Sequence, residues 1–88
     1  MMPSKTFVVF KVSALDPEKT TELVESLKGI STGTVKDIKR EPVGFGIETI
    51  KVGVLFDEKD QQGIEKALNE IKKNSLVQEA EIDQMTLI

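Results

Sequence analysis

Apolar positions along the chain change period several times, and each change marks an element. From Lys5 to Ser13 they alternate, with Val8, Phe10 and Val12 on one side of an extended backbone and Phe7, Val9 and Lys11 on the other. A Phe- and Val-rich run of this kind predicts a strand. Asp16-Pro17-Glu18 then supplies an N-cap, a proline at the first helical position and an early acid. Leu23, Val24 and Leu27 fall on one helical face, with Gly29 placed as a C-cap. After the loop Ser31-Thr32-Gly33 a second strand is expected over Thr34 to Glu41, although Val35 and Ile38 lie three apart and break its alternation. Pro42 fixes its own φ and lacks a donor, so the strand is expected to end there.

The third strand, Ile47 to Phe56, directs Ile50, Val52, Val54 and Phe56 one way and Thr49, Lys51 and Gly53 the other. A glycine inside a strand signals a bulge or a close backbone approach. Polar residues from Asp57 to Gln62 form a turn, and Ile64, Ala67, Leu68 and Ile71 make the stripe of an amphipathic helix that ends at Asn74-Ser75. A last strand is expected over Leu76 to Thr86, with Ala80 and Ile82 inward and Glu79, Glu81 and Asp83 outward. The order βαββαβ predicts an α+β, ferredoxin-like two-layer sandwich, with a four-stranded antiparallel sheet and two helices on one face. Half-polar strands fit a sheet with one solvated face. No linker or composition break appears, so residues 1–88 are read as a single domain.

Composition narrows the chemistry. With 88 residues and 39% hydrophobic content, one core is affordable without a metal or disulfide. Cysteine and histidine are both absent, which removes disulfides, thiolate nucleophiles and the commonest general base and metal ligand. An enzyme is therefore not expected, nor is a cofactor. The net charge of −3 offers no basic excess for phosphate backbones, so direct nucleic-acid binding is not expected either. No apolar run reaches membrane-spanning length, and Lys11 interrupts the N-terminal apolar run that could pass for a signal peptide. A soluble, cytoplasmic protein is expected.

Several motifs fail on inspection. Glu79, Glu81 and Asp83 recur every second residue, roughly 7 Å apart along a strand, which suits a solvated face better than a shared cation. Asp57-Glu58-Lys59-Asp60 has Lys59 at the third position of a calcium loop and Leu68 at the twelfth. Gly44-Phe45-Gly46 lacks the third glycine of a dinucleotide fingerprint. Val43 to Ile50 overlaps the RNA-binding signature found on the third strand of this fold, and Gly44, Phe45 and Gly46 match it. Val43 replaces its leading basic residue, and Ile47 and Ile50 replace aromatics. Glu48 would set a negative charge beside the stacking platform.

Gly44-Phe45-Gly46 is the most informative feature. By residue type a Phe belongs in a core. A glycine on each side, after Pro42, instead describes a shaped loop tip, where an exposed aromatic anchors into a partner's pocket.

The run Pro42-Val43-Gly44-Phe45-Gly46-Ile47 with Ile50 and Val52, the acidic turn Asp57-Glu58, the helix from Ile64 to Ile71 and the ending Val77-Gln78-Glu79-Ala80-Glu81-Ile82 resemble the translation elongation factor 1-beta family in its short archaeal form. The resemblance runs the length of the chain and is most specific at the Phe segment and last strand. It implies the ferredoxin-like fold and guanine-nucleotide exchange on elongation factor 1-alpha, the GTPase that carries aminoacyl-tRNA to the ribosome. It further implies that Phe45 inserts into the GTPase, with Pro42, Val43, Gly44 and Gly46 shaping the tip, and that Thr86, Leu87 and Ile88 lie near its Mg²⁺ and phosphates. Eukaryotic members carry a penultimate Lys that takes part in displacing the metal, whereas this chain has Leu87. The alternative is a ferredoxin-like module that binds RNA or a small ligand on its open sheet face.

Overall fold

The computed structural model describes residues 5–44, 47–57 and 61–87. The elements are β1 (Lys5–Ala14), a 3₁₀ turn (Pro17–Lys19), α1 (Thr20–Leu27), β2 (Thr34–Gly44), β3 (Ile47–Asp57), α2 (Gln61–Lys72) and β4 (Val77–Leu87). The strands form one sheet in the order β2-β3-β1-β4, every neighbouring pair antiparallel. This is the ferredoxin-like α+β arrangement predicted from the periodicity.

Its core lies between one face of the sheet and the two helices. Val8, Phe10 and Val12 of β1 and Ile50, Val52, Val54 and Phe56 of β3 meet Leu23 and Leu27 of α1 and Ile64, Ala67 and Ile71 of α2. Each of these Val, Leu, Ile and Phe side chains contributes about 1.5–3 kcal/mol on burial, so this face holds both helices down. Phe10 and Phe56 pack edge to face at its centre, with centroids 6.3 Å apart. Asp16 accepts a 3.0 Å hydrogen bond from the Glu18 backbone and Pro17 opens the 3₁₀ turn, so the start signal operates one turn before α1 proper. Gly29 does not adopt the left-handed conformation expected of a C-cap. Lys28 ends α1 with right-handed geometry, and Gly33 and Gly44 are the glycines with positive φ among the described residues.

Both edge strands are bulged. In β2 the partner of Val54 is Val35 but the partner of Gly53 is Asp37, so Lys36 is an extra residue. The bulge brings Val35 and Ile38, three apart, onto the same core-facing side, which accounts for the broken alternation. In β4, Gln84 faces Val9 and Ile82 faces Phe10, which makes Asp83 the extra residue. Bulges twist an edge away from pairing with another chain. Gly53 lies opposite the β2 bulge and also meets a close approach, because the Phe7 ring on the open face occupies the space where its Cβ would be.

Pro42 does not end β2. It pairs with Glu48, and the strand continues to Gly44. β2 is an edge, and an edge strand tolerates a residue that cannot donate toward solvent.

Candidate functional site

The β2–β3 hairpin runs beyond the core. Past Ile38, β2 buries no side chain, and Pro42, Val43 and Gly44 are all exposed. Across the hairpin Gly44 pairs with Ile47, with Val43 as the extra residue between that pair and Pro42–Glu48. Phe45 and Gly46 lie between these partners, outside the described residues, as does Ile88 at the chain end. Val43 and Ile47 remain 61% and 48% accessible, an apolar pair flanking the Phe45 segment. Gly44 has φ of +103°, and nothing lies within 4 Å of where its Cβ would project. Backbone conformation, rather than space, requires glycine there. Gly44→Ala is expected to lower stability by about 1–2 kcal/mol, the left-handed penalty for a residue with a Cβ. A thermal melt superimposable on the parent's would contradict this.

At the root of the tip, Arg40 Nε and Nη2 donate to the two carboxylate oxygens of Glu48 at 2.6 and 3.0 Å, and Nη1 donates to Thr21 Oγ1 of α1 at 3.1 Å. Glu48 therefore does not lie beside the open face, as the signature comparison implied. It shares the helix-side face with Ile50, and Arg40 neutralises it. The hydrogen bond from Arg40 holds the Glu48 carboxyl below its usual range, and the same bond raises the guanidinium. Because the folded value of Glu48 is lowered, its contribution is complete above the unfolded value and is lost as pH falls through the folded one. Glu48→Gln should therefore melt only slightly below the parent at neutral pH, because the pair is exposed, with the small gap closing as pH drops past the carboxylate range. A gap independent of pH in parallel melts would refute the assignment.

Thr86 and Leu87 occupy the opposite end of the sheet, where they pair with Phe7 and Thr6 of β1. Thr6 in turn faces Phe56, nine residues along β3 from Ile47. At about 3.3 Å per residue the two groups of predicted site residues stand roughly 30 Å apart. The fold does not gather them into one pocket. A single partner would have to contact both ends of a molecule whose longest dimension is 45 Å. At this far end Lys5 pairs with Asp57 at 2.8 Å and holds its carboxyl below the usual range.

Two neighbours of these residues escaped the sequence reading as site candidates. Ile47 flanks the tip, and Met85 joins Ile82 and Leu87 in an exposed apolar row on the helix-side face of β4. Ile82 faces inward as predicted but stays 40% accessible at the sheet's edge. The signal for Met85 was its spacing of three from Ile82, the same bulge spacing that joins Val35 to Ile38.

The open face between the two ends is polar. Lys51 sits between Glu41 at 3.6 Å and Asp83 at 3.4 Å, and Asp83 chiefly raises the ammonium. An open groove of about 690 Å³ runs from the tip to the start of β4, lined among others by Val43, Ile47, Lys11, Glu79 and Glu81. Ser13 and Thr49 face each other on its floor. This surface offers hydrophobic anchoring and charge complementarity, the means of recognising another protein.

The class is thus a ferredoxin-like α+β domain with an exposed apolar hairpin tip. Residues 7–88 match the EF-1 guanine nucleotide exchange domain, and the chain belongs to that family. It is 34% identical over 83 residues to elongation factor 1-beta of Methanospirillum hungatei, covering 92% of this chain and 94% of that one. To elongation factor 1-beta of Methanosphaerula palustris it is 28% identical over 82 residues, covering 91% and 93%. The solution structure of the C-terminal domain of the MgtC protein from Mycobacterium tuberculosis superposes with a TM-score of 0.58 at 13% identity, over 97% of this chain and 88% of that one, a likeness of fold alone. Membership assigns the chain a nucleotide-exchange role in translation, with a GTPase as the partner.

Proposed function

We propose that this chain promotes release of GDP from elongation factor 1-alpha in the cytoplasm, with residues 1–88 acting as one exchange domain. The observation that carries this reading is the apolar hairpin tip, where Val43 and Ile47 stand exposed on either side of the Phe45 segment in a chain of the exchange family. An exchange factor makes and breaks no covalent bond. It binds the nucleotide-free GTPase better than the GDP-bound one, and by linkage GDP is then bound less well. Phe45 is the anchor, with Pro42, Val43, Gly44 and Gly46 presenting it. Thr86, Leu87 and Ile88 form the second contact at the far end. Leu87 supplies no cation, so its contact with the nucleotide side of the GTPase is steric and hydrophobic. The RNA-binding alternative has less support, because Asp37, Glu41, Glu79, Glu81 and Asp83 outnumber Lys11, Lys39 and Lys51 on the open face.

The test is calorimetric titration of the chain into archaeal elongation factor 1-alpha, either nucleotide-free or loaded with GDP and Mg²⁺. Binding at least about 100-fold tighter to the nucleotide-free form is expected, since a coupling of 1–3 kcal/mol is the usual range and an exchange factor sits at its upper end or beyond. Equal affinity for the two forms would overturn the proposal, because such a ligand shifts no equilibrium.

A further inference from the structure

We propose that Arg40 is a positioning residue for the hairpin tip, tying β2, β3 and α1 together at its root and fixing the direction in which the tip meets a protein partner. The consequence for exchange rests on the function proposed above, whereas the consequence for the free chain does not. Three different guanidinium nitrogens of Arg40 reach two elements beyond its own strand: Nε and Nη2 to Glu48 of β3, and Nη1 to Thr21 of α1. A lysine could not make this planar fork.

The location gives the fork its role. Arg40 faces Ile50 and Glu48 faces Pro42, so the ion pair crosses the last rungs before the tip. Ile38 and Ile50 are the last apolar residues of β2 and β3 in the core, β1 pairs with β3 as far as Thr49, and the rungs Pro42–Glu48 and Gly44–Ile47 beyond it rest on the two-stranded ladder alone. Two-stranded ribbons are marginal alone and twist more than strands inside a sheet. Pro42 removes a donor from this ribbon and the Val43 bulge adds a bend. The hydrogen bond from Arg40 to Thr21 ties this ribbon to the helix layer. Arg40 and Glu48 side chains remain 40% and 31% accessible, and surface ion pairs contribute little to global stability. The effect therefore falls on the orientation of the tip. Pre-organisation of this kind lowers the concentration of factor needed for binding without altering the bound state.

The experiment compares the full chain with Arg40→Ala, Arg40→Lys and the exchanged pair Arg40→Glu/Glu48→Arg. Amide hydrogen exchange of the free proteins is read alongside the concentration dependence of GDP release from archaeal elongation factor 1-alpha. In Arg40→Ala and Arg40→Lys, the amides of Glu41, Val43, Gly44, Ile47 and Glu48 should exchange about ten-fold faster, while those at the centres of β1 and β3 keep the parent's rates. The half-saturating concentration should rise about five- to ten-fold with the plateau rate within two-fold of the parent's. The exchanged pair should recover most of both losses. Unchanged amide rates in Arg40→Ala would overturn the proposal. So would an exchanged pair that restores the amides but not the half-saturating concentration, since Arg40 would then contact the partner itself. If the parent chain fails to accelerate GDP release, the functional reading falls, and the amide rates alone decide whether Arg40 positions the tip.

Discussion

Phe45→Ala is expected to reduce acceleration of GDP release from elongation factor 1-alpha by at least about 30-fold, the equivalent of a 2 kcal/mol interface hot spot. The melting temperature should meanwhile move by no more than a few degrees. The two readouts together discriminate between an anchor and a core residue. Removing a core Phe costs about 3–5 kcal/mol, which in a domain of this size lowers the melting temperature by well over 10 °C. The core is already filled around Phe10 and Phe56, both almost fully buried and packed edge to face. Phe45→Leu should retain part of the activity, because a smaller apolar side chain still fills part of a hydrophobic pocket. A Phe45→Ala chain that exchanges at the parent's rate would remove Phe45 from the mechanism, and one that unfolds would place it in the core.

Gly33→Ala is expected to cost about 2–4 kcal/mol by combining backbone strain with overpacking. Gly33 holds φ of +79°, which a residue with a Cβ adopts only at a penalty. A Cβ there would lie 2.7 Å from both Phe56 Cε1 and Val54 Cγ1, two of the most deeply buried side chains of β3. Neither can retreat without disturbing the centre of the core, where Phe56 meets Phe10. At roughly 4–8 °C per kcal/mol for a domain of this size, a fall in melting temperature of about 10–25 °C should follow. Gly44→Ala provides the internal comparison, since its φ is also positive but its surroundings are empty. If the two variants lose the same stability, the packing half of the account is wrong.

Much of this could be read from periodicity. The alternation of Val8, Phe10 and Val12 and of Ile50, Val52, Val54 and Phe56, and the helical stripe of Ile64, Ala67 and Ile71, are the core as it stands. What the pattern obscured were the edges. A spacing of three, as between Val35 and Ile38 or between Ile82 and Met85, reads as helix or as noise unless a bulge is allowed for. Pro42 has the local chemistry of a stop, and a strand runs through it because β2 lies at an edge, which only the strand order decides. Glu48 is different, because alternation through Ile50 already places it on the inner face. Reading the RNA-binding signature as a linear string hid that parity. The candidate site was legible as a tip, since glycine and proline chemistry is local. Its separation by roughly 30 Å from Thr86 and Leu87 was not, because that distance follows from the register of three strands far apart in sequence.

The most direct measurement of the central claim is stopped-flow release of a fluorescent GDP analogue from archaeal elongation factor 1-alpha, with this chain present at one-tenth of the GTPase concentration and excess unlabelled nucleotide. Accelerated release of the whole bound population, showing that each molecule of the chain serves many GTPase molecules, is the predicted result. Release at the intrinsic rate, with the chain folded by circular dichroism, would contradict it.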